Sequence, residues 1–147
     1  MKIRTIEPED VPVLAEYESE ISLISFQEEA ITDPEFHQQK IRKAIPKEKE
    51  GMLVLDNDGE ICGWLWMAMK TNSLTGEKYV NFRSFYIKEA YRGSEFVGQL
   101  LEKGINDCLK LGAKSIVGKV HAKNLPMRAL YKNHGFEPTH LTMELKF

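Results

Sequence analysis

Three apolar segments that follow one another, with short turns between them, constrain the fold of this chain more than any other feature. Residues 52–56 and 60–70 flank Asn57-Asp58-Gly59, whose residue types tolerate the positive φ of a tight turn, so this pair predicts a β-hairpin. Residues 79–87 follow a second turn-forming stretch at 71–77 and predict a further adjacent strand. We therefore expect an antiparallel meander at the centre of the protein.

Helices are predicted before and after this meander. Residues 95–111 carry apolar side chains at intervals of four and end at Gly112, a natural helix stop. The fold class is therefore α+β with a mixed sheet. The remaining expected elements are a strand at 2–6, helices beginning near Pro8 and at Asp33-Pro34, a surface loop at 46–51, a strand at 114–120, a short helix at 124–134 and a last strand at 141–147.

Length and charge exclude several classes of protein. The 147 residues fit one domain, residues 1–147, and 20 basic against 22 acidic residues give no general attraction to nucleic acid or to an anionic membrane. The longest near-continuous apolar run spans only nine residues, 61–69, so no membrane segment is expected. Two cysteines, Cys62 and Cys108, are too few for a disulfide framework or a CxxC metal pair. With no apolar signal core at the N-terminus, these features predict a cytoplasmic protein.

The turn from the strand at 79–87 into the helix at 95–111 is the first candidate site. Free backbone N–H groups and the positive end of the helix dipole favour an anion there, and Arg92 adds a permanent positive charge. A pyrophosphate would fit this turn. The alternative is a tight strand-to-helix turn without a ligand, since neither a Walker loop nor a dinucleotide fingerprint is present.

The second candidate site is the helix at 124–134. Asn124 can cap it, and Tyr131 follows seven positions later, which places both residues on one face. A phenol in that position could donate a proton into a neighbouring cleft. The alternative is that Tyr131 serves packing and that Gly135 is only the helix C-cap.

Together, Tyr91-Arg92-Gly93, a helix, a strand, Asn124, Tyr131 and Gly135-Phe136 resemble the GCN5-related N-acetyltransferase (GNAT) family. The resemblance covers the whole chain and is most specific between residues 79 and 136. It implies a mixed central sheet of six to seven strands with about four flanking helices. It also implies that the fourth and fifth strands splay apart.

The resemblance further implies acetyl-CoA as cosubstrate, with no metal. Its pantetheine would pair with Phe85 and Ile87 on the fourth strand, a form of strand addition, and would also meet Asn124 and Tyr131. The family pattern has small residues where the ungapped count places Glu95 and Val97. The implied pyrophosphate contacts are the backbone groups of Arg92, Gly93, Ser94, Glu95, Phe96, Val97 and Gly98.

The implied reaction is direct attack of a neutral amine on the thioester. An N–H at Ile87 would polarise the acetyl carbonyl, and Tyr131 would protonate the departing thiolate. Arg83 and His121 are candidate contacts for the acceptor. The candidates for the proton acceptor are Glu28, Glu29, Glu77 and His121.

The sequence leaves three functional readings open. The first is an N-acetyltransferase that acts on an amine of a small molecule, an amino acid or a peptide. The second is a non-catalytic acyl-CoA-binding or regulatory module on the same fold, and the third is a domain that contacts only protein partners. The sequence does not identify the acceptor, and it leaves the oligomeric state open, a homodimer included.

Overall fold

Four α-helices and five β-strands are formed in the computed structural model, which describes residues 1–147. Short 3-10 helices precede α1, follow α1 and α2, and precede α3. The elements in chain order are β1 (Lys2–Thr5), α1 (Val11–Phe26), α2 (Pro34–Glu48), β2 (Met52–Asn57), β3 (Glu60–Thr71), β4 (Lys78–Ile87), α3 (Glu95–Lys110), β5 (Ile116–Gly118) and α4 (Leu125–Asn133).

The five strands form one mixed sheet in the order β1-β2-β3-β4-β5. Pairing is antiparallel from β1 to β4 and parallel between β4 and β5, so the predicted meander is confirmed. Asp58 and Gly59 adopt φ values of 50° and 95° at the β2–β3 turn, as the turn sequence predicted. The N–H of Gly59 donates to the Asp56 carboxylate at 2.7 Å and closes this turn.

Apolar side chains cover both faces of the sheet, because helices pack on each side. On one face α1 and α2 enclose Trp64 and Trp66, which are fully buried. On the other face α3 and α4 pack over Leu65 and Phe82. Gly104 lets α3 approach the sheet closely, since a β-carbon there would lie 2.5 Å from Leu65. None of the four helices is both long enough and apolar enough to cross a bilayer.

The expected six to seven strands are wrong, because residues 141–147 form no strand. The apolar side chains of this tail are each more than three-quarters exposed: Leu141, Met143, Leu145 and Phe147. A strand also requires a pairing edge, and the structure pairs β5 with β4 alone over three residues. The sequence of residues 141–147 is compatible with a strand, but no other strand pairs with these residues.

The loop expected at 46–51 is also wrong. Helix α2 continues through Pro46 to Glu48, and a 3-10 turn then spans Lys49–Gly51. Proline removes one helical N–H and normally ends a helix. Here Ile41 and Ala44 are buried against α1 and the sheet, and this packing outweighs the local preference.

Candidate functional site

Strands β4 and β5 separate about half-way along β4. Their pairing begins at Val80 with Ile116 and ends at Phe82 with Gly118, whereas β4 continues to Ile87. Beyond Phe82, the edge of β4 that faces β5 has no neighbouring strand. The predicted splay between the fourth and fifth strands is thereby confirmed.

A bulge in β4 lies directly at this opening. Phe82 pairs with Met67 and Ser84 pairs with Trp66, so Arg83 is an extra residue without a partner on β3. The guanidinium carbon of Arg83 lies 3.9 Å from the Trp66 ring centroid. Its Nη1 also contacts the Glu48 carboxylate at 3.4 Å. Arg83, a predicted acceptor contact, therefore packs against the α1/α2 face of the sheet.

Two residues of β4 present backbone groups to the open edge. The N–H of Lys88 donates to the Cys62 carbonyl on β3 at 2.9 Å. Because alternate residues of an antiparallel strand face the same neighbour, Tyr86 faces β3, whereas Phe85 and Ile87 face the open edge. This edge can therefore accept an extended chain that carries amide groups.

The loop after β4 ends in a helix N-terminus with free donors. Gly93 adopts φ 78°, and the Ser94 hydroxyl donates to the Tyr91 carbonyl at 2.6 Å. The N–H groups of Glu95 and Phe96, the first two residues of α3, meet no backbone acceptor. Together with the helix dipole, these amides can bind an anion.

A hydrogen-bond network that sequence reasoning missed holds this loop in place. The Tyr91 hydroxyl donates to Glu60 at 2.6 Å and accepts from Asn57 at 3.0 Å. Lys88 donates to the other Glu60 oxygen at 2.7 Å. The Lys88 bond, and then the Tyr91 bond, lower the pKa of Glu60, while the bond to Glu60 raises the pKa of Tyr91. The β2–β3 hairpin is thereby tied to the loop that precedes α3.

The side chains at the start of α3 point in different directions. Glu95 is exposed, while Phe96 and Val97 pack partly against the α3/α4 side of the core. Gly98 faces α4, since a β-carbon there would lie 3.8 Å from His134 Nε2. His134, to which the sequence assigned no role, therefore lies beside the first turn of α3.

The side chain of Arg92 turns back toward the end of β4. Its Nε donates to the Ile87 carbonyl at 2.8 Å, which occupies one acceptor of the open edge. Its guanidinium carbon lies 5.5 Å from the Tyr86 ring centroid. Arg92 therefore caps the carboxyl end of β4.

Tyr131 lies where β4 and β5 separate. Asn124 caps α4 by accepting from the Met127 N–H at 3.3 Å, which places Tyr131 two turns later on the sheet side. A β-carbon on Gly118 would lie 3.0 Å from the Tyr131 hydroxyl, so the glycine makes room for the phenol. The ring packs on Phe136 with a centroid distance of 4.8 Å.

Burial controls the chemistry of this phenol. Tyr131 is only 8% exposed, and desolvation raises its pKa to about 12. The phenol is consequently protonated at neutral pH. The Tyr131 hydroxyl has no hydrogen-bond partner within the protein. It is also not among the fully buried polar atoms, so part of the oxygen is accessible. The hydroxyl is thus available to a ligand in the opening.

The predicted proton acceptors do not gather at Tyr131. His121 Nδ1 accepts from the Lys123 N–H at 3.1 Å in the turn after β5. Glu28 and Glu29 lie in the exposed 3-10 turn after α1, and Glu77 is exposed just before β4. None of the four is hydrogen-bonded to Tyr131. The structure brings no three His, Cys, Asp or Glu side chains together as a metal site.

A groove that sequence reasoning missed lies between α1 and the carboxyl end of β4. It is a cavity of about 970 Å³. Tyr17 and Tyr86 stack on its wall with ring centroids 4.3 Å apart. The Tyr86 hydroxyl donates to Glu20, which lines the same cavity. The spacing of Glu16 and Glu20, one helical turn apart beside Tyr17, was the available sequence signal.

Comparison with known proteins identifies the family. The family model described as Acetyltransferase (GNAT) family matches residues 13–136. This match covers most of the chain, which belongs to the GNAT acetyltransferase family. A curated relative, Uncharacterized N-acetyltransferase YycN of Bacillus subtilis (strain 168), is 29% identical over 90 residues. That alignment covers 61% of this chain and 56% of the relative, so the chain spans little more than half of the relative's length.

Solved structures show the same fold at low sequence identity. A tetramutant of the BH1408 protein from Bacillus halodurans matches with a TM-score of 0.85 at 19% identity, over 100% of each chain. The aminoglycoside antibiotic 6'-N-acetyltransferase AAC(6')-IG from Acinetobacter haemolyticus matches with a TM-score of 0.74 at 14% identity, over 100% of this chain and 98% of that one. At these identities the likeness carries the fold alone.

Proposed function

We propose that this chain transfers the acetyl group of acetyl-CoA to an amine of a small molecule, an amino acid or a peptide. One observation carries the proposal: the Tyr131 hydroxyl lies without a protein partner where β4 and β5 separate. We assign residues 1–147 to a single domain that carries this activity. The buried thiols of Cys62 and Cys108 are compatible with a reducing, cytoplasmic setting.

Acetyl-CoA fits the features of this opening. The free edge of β4 at Phe85 and Ile87 suits the amide groups of pantetheine, which would lie as an added strand. The unpaired N–H groups of Glu95 and Phe96 suit the pyrophosphate. The Ile87 N–H is a further donor for pantetheine on this edge, while the Ile87 carbonyl remains bonded to Arg92. The acetyl group itself would lie near Tyr131 and Phe82, roughly 16 Å along β4 from Ile87.

The reaction requires one proton to leave nitrogen and one to reach sulfur. The neutral amine forms a bond to the thioester carbonyl carbon, the C–S bond breaks, and its electron pair remains on sulfur. Tyr131 gives its proton to that sulfur. The nitrogen loses its proton to water, and Tyr131 takes up a proton from water in turn, so the protein ends in its starting state. Because an alkylamine has a pKa of about 10.4, most of it must first lose a proton to water or to another group at neutral pH.

Release of free thiol from acetyl-CoA, measured across a panel of amines, tests this function. An acetyltransferase gives release that depends on the amine, whereas a non-catalytic acyl-CoA-binding module gives none. Thermal unfolding with acetyl-CoA provides the binding control. A ligand at about 100 times its Kd stabilises by roughly 2.7 kcal/mol. The absence of any stabilisation at millimolar acetyl-CoA would exclude both the acetyltransferase and the acyl-CoA-binding module.

Arg92→Ala tests the cosubstrate site. We expect this change to weaken the binding of CoA more than that of dephosphorylated pantetheine, because Arg92 adds positive charge beside the proposed phosphate-binding site. Arg42→Ala is the matched control, since Arg42 is an exposed arginine of α2. Equal losses for CoA and pantetheine would show that Arg92 acts only by capping β4.

A further inference from the structure

Aromatic rings cover one side of the opening between β4 and β5. Phe82, at the end of the paired region, lies on the α3/α4 side of the sheet. Its ring centroid is 6.5 Å from that of Tyr131 and 6.1 Å from that of Phe136. Because these three rings pack together, the side that remains for an acceptor amine is the α1/α2 side.

The sheet is open on the α1/α2 side beside this position. Val80 and Phe82 belong to the core under α3 and α4, so Asn81 between them presents its side chain to the α1/α2 side. No residue of β5 belongs to the core under α1 and α2. Val117, the β5 partner of Asn81, is 44% exposed. An acceptor can therefore lie against β4 and β5 without displacing a helix.

Arg83 brings a positive charge to this open area. It follows Phe82 directly, so it lies one residue beyond the end of the β4–β5 pairing. Its guanidinium stacks on Trp66, a member of the core under α1 and α2, and this contact places the charge on the α1/α2 side. The side chain is 34% exposed. Arg83 is thus within reach of solvent, on the side from which the acceptor approaches.

The guanidinium is held in place while one of its edges stays free. The fully buried Trp66 ring lies against one face of the group, at 3.9 Å. Arg83 Nη1 lies 3.4 Å and 3.5 Å from the two carboxylate oxygens of Glu48, beyond the roughly 2.8 Å of a strong charged hydrogen bond. Nε and Nη2 donate to no protein group. Together they form a bidentate edge whose geometry matches a carboxylate.

We propose that this edge of Arg83 binds a carboxylate of the acceptor. The acceptor class is then an amine that also carries a carboxylate, as an amino acid does. A carboxylate fits better than a phosphate, because Glu48 beside Arg83 leaves the pair close to neutral and would repel a dianion. This inference rests on the proposed acetyl transfer, which places the reacting nitrogen near Tyr131.

Thiol release from acetyl-CoA tests the proposal with three ω-amino acids and their amides. The acids are 3-aminopropanoate, 4-aminobutanoate and 5-aminopentanoate, and each amide replaces the carboxylate by a neutral group of nearly the same size. At the best chain length we expect kcat/KM to be about tenfold higher for the acid than for its amide, the scale of a hydrogen-bonded charge pair. The difference should lie in KM, because Arg83 is placed to hold the acceptor and does not touch the reacting atoms.

Two substitutions should act in opposite directions. Arg83→Gln should reduce the preference for the acid to within twofold. Glu48→Gln should increase it about threefold, because the competing carboxylate is removed. Arg42→Gln is the matched control, since Arg42 is an exposed arginine of α2. An Arg83–Glu48 pair with only a structural role would instead change the acid and the amide equally in both variants.

Three results would overturn the inference. The first is an equal kcat/KM for each acid and its amide in the wild-type protein. The second is a preference for the acid in Arg83→Gln that equals the preference in Arg42→Gln. If Arg83→Gln proves poorly folded, Glu48→Gln decides alone, and an unchanged preference there would count against the proposal. The third is a kcat/KM for 2-aminoethyl phosphate above that of all three acids, which would replace the carboxylate by a phosphate.

Calorimetric titration of the CoA-bound protein with the same acids separates this inference from the proposed function. Thiol release without any preference for the acids would refute the carboxylate contact and leave acetyl transfer standing. Binding of an acid that depends on Arg83, with no thiol release for any amine, would support the carboxylate contact and refute acetyl transfer. Thiol release with a preference that depends on Arg83 would support both.

Discussion

Replacing Tyr131 by Phe separates catalysis from folding in this protein. The change keeps the ring and its packing on Phe136 and Phe82, with centroids at 4.8 Å and 6.5 Å. It removes a hydroxyl that has no protein partner, so the free energy of unfolding should change by less than about 1 kcal/mol. Loss of a positioned proton donor should lower turnover roughly 10²-fold, which corresponds to about 2.7 kcal/mol of transition-state stabilisation.

Thermal unfolding with and without acetyl-CoA measures folding and binding, and single-turnover thiol release measures the chemical step. Tyr79→Phe is the matched control, because Tyr79 is a partly buried tyrosine of the same sheet without a hydrogen-bonded hydroxyl. The loss for Tyr131→Phe should shrink with an acetyl thioester whose thiol has a lower pKa than CoA. Such a leaving group needs less protonation as it departs.

Turnover of Tyr131→Phe within about twofold of wild type, with chemistry shown to be rate-limiting, would refute this reasoning. Water would then be the proton donor, and Tyr131 would serve packing against Gly118 and Phe136. A loss of more than about 1 kcal/mol in the free energy of unfolding would refute the claim that the Tyr131 hydroxyl has no protein partner. It would mean that the hydroxyl has a partner in solution.

Four further outcomes are expected. Gly118→Ala should lower activity with little loss of secondary structure by circular dichroism, because its β-carbon would lie 3.0 Å from the Tyr131 hydroxyl. Glu95→Gly should tighten CoA by less than about 1.5 kcal/mol, with a gain that fades in salt; an affinity equal to wild type at every salt concentration would mean that the carboxylate lies too far from the phosphates to repel them. Because the pKa of Tyr131 is raised to about 12 in the folded state, stability is lost as pH rises from about 10 to 12, and wild type should lose up to roughly 2.7 kcal/mol more than Tyr131→Phe in alkaline denaturation. Deleting residues 141–147 should shift the melting temperature by less than about 2 °C, since their apolar side chains are exposed; a larger fall would show that the tail is packed in solution.

Local patterns determined most of the secondary structure. The apolar segments of β2, β3 and β4 and the turn at Asp58-Gly59 predicted the meander, because strand-forming runs and turn φ depend on residues close in sequence. Asn124 at the start of α4 and the apolar spacing of α3 likewise act over one or two helical turns. The segment from Tyr91 to Phe136 also carried the family resemblance that the family model confirms.

The pairing of elements was less predictable. The sequence pattern of 141–147 indicated a strand, but whether a strand forms depends on a free edge that lies elsewhere in the chain. The helix through Pro46 is similar, since burial of Ile41 and Ala44 outweighed the local signal. The extra residue at Arg83 also left no mark in the sequence, because a bulge is defined by the register with a second strand.

The sequence by itself determined the class of fold, the turn that offers free amides at the start of α3, and the placing of Asn124 and Tyr131 on one helix. Only the tertiary structure decided what surrounds these groups. The Tyr86 to Glu20 bond joins residues 66 positions apart, and the Tyr91 to Glu60 bond joins residues 31 apart. Such contacts follow from how the helices pack on the sheet, and no periodicity along the chain encodes them. The depth at which Tyr131 is buried, and with it the raised pKa of its phenol, is likewise a property of the packed protein.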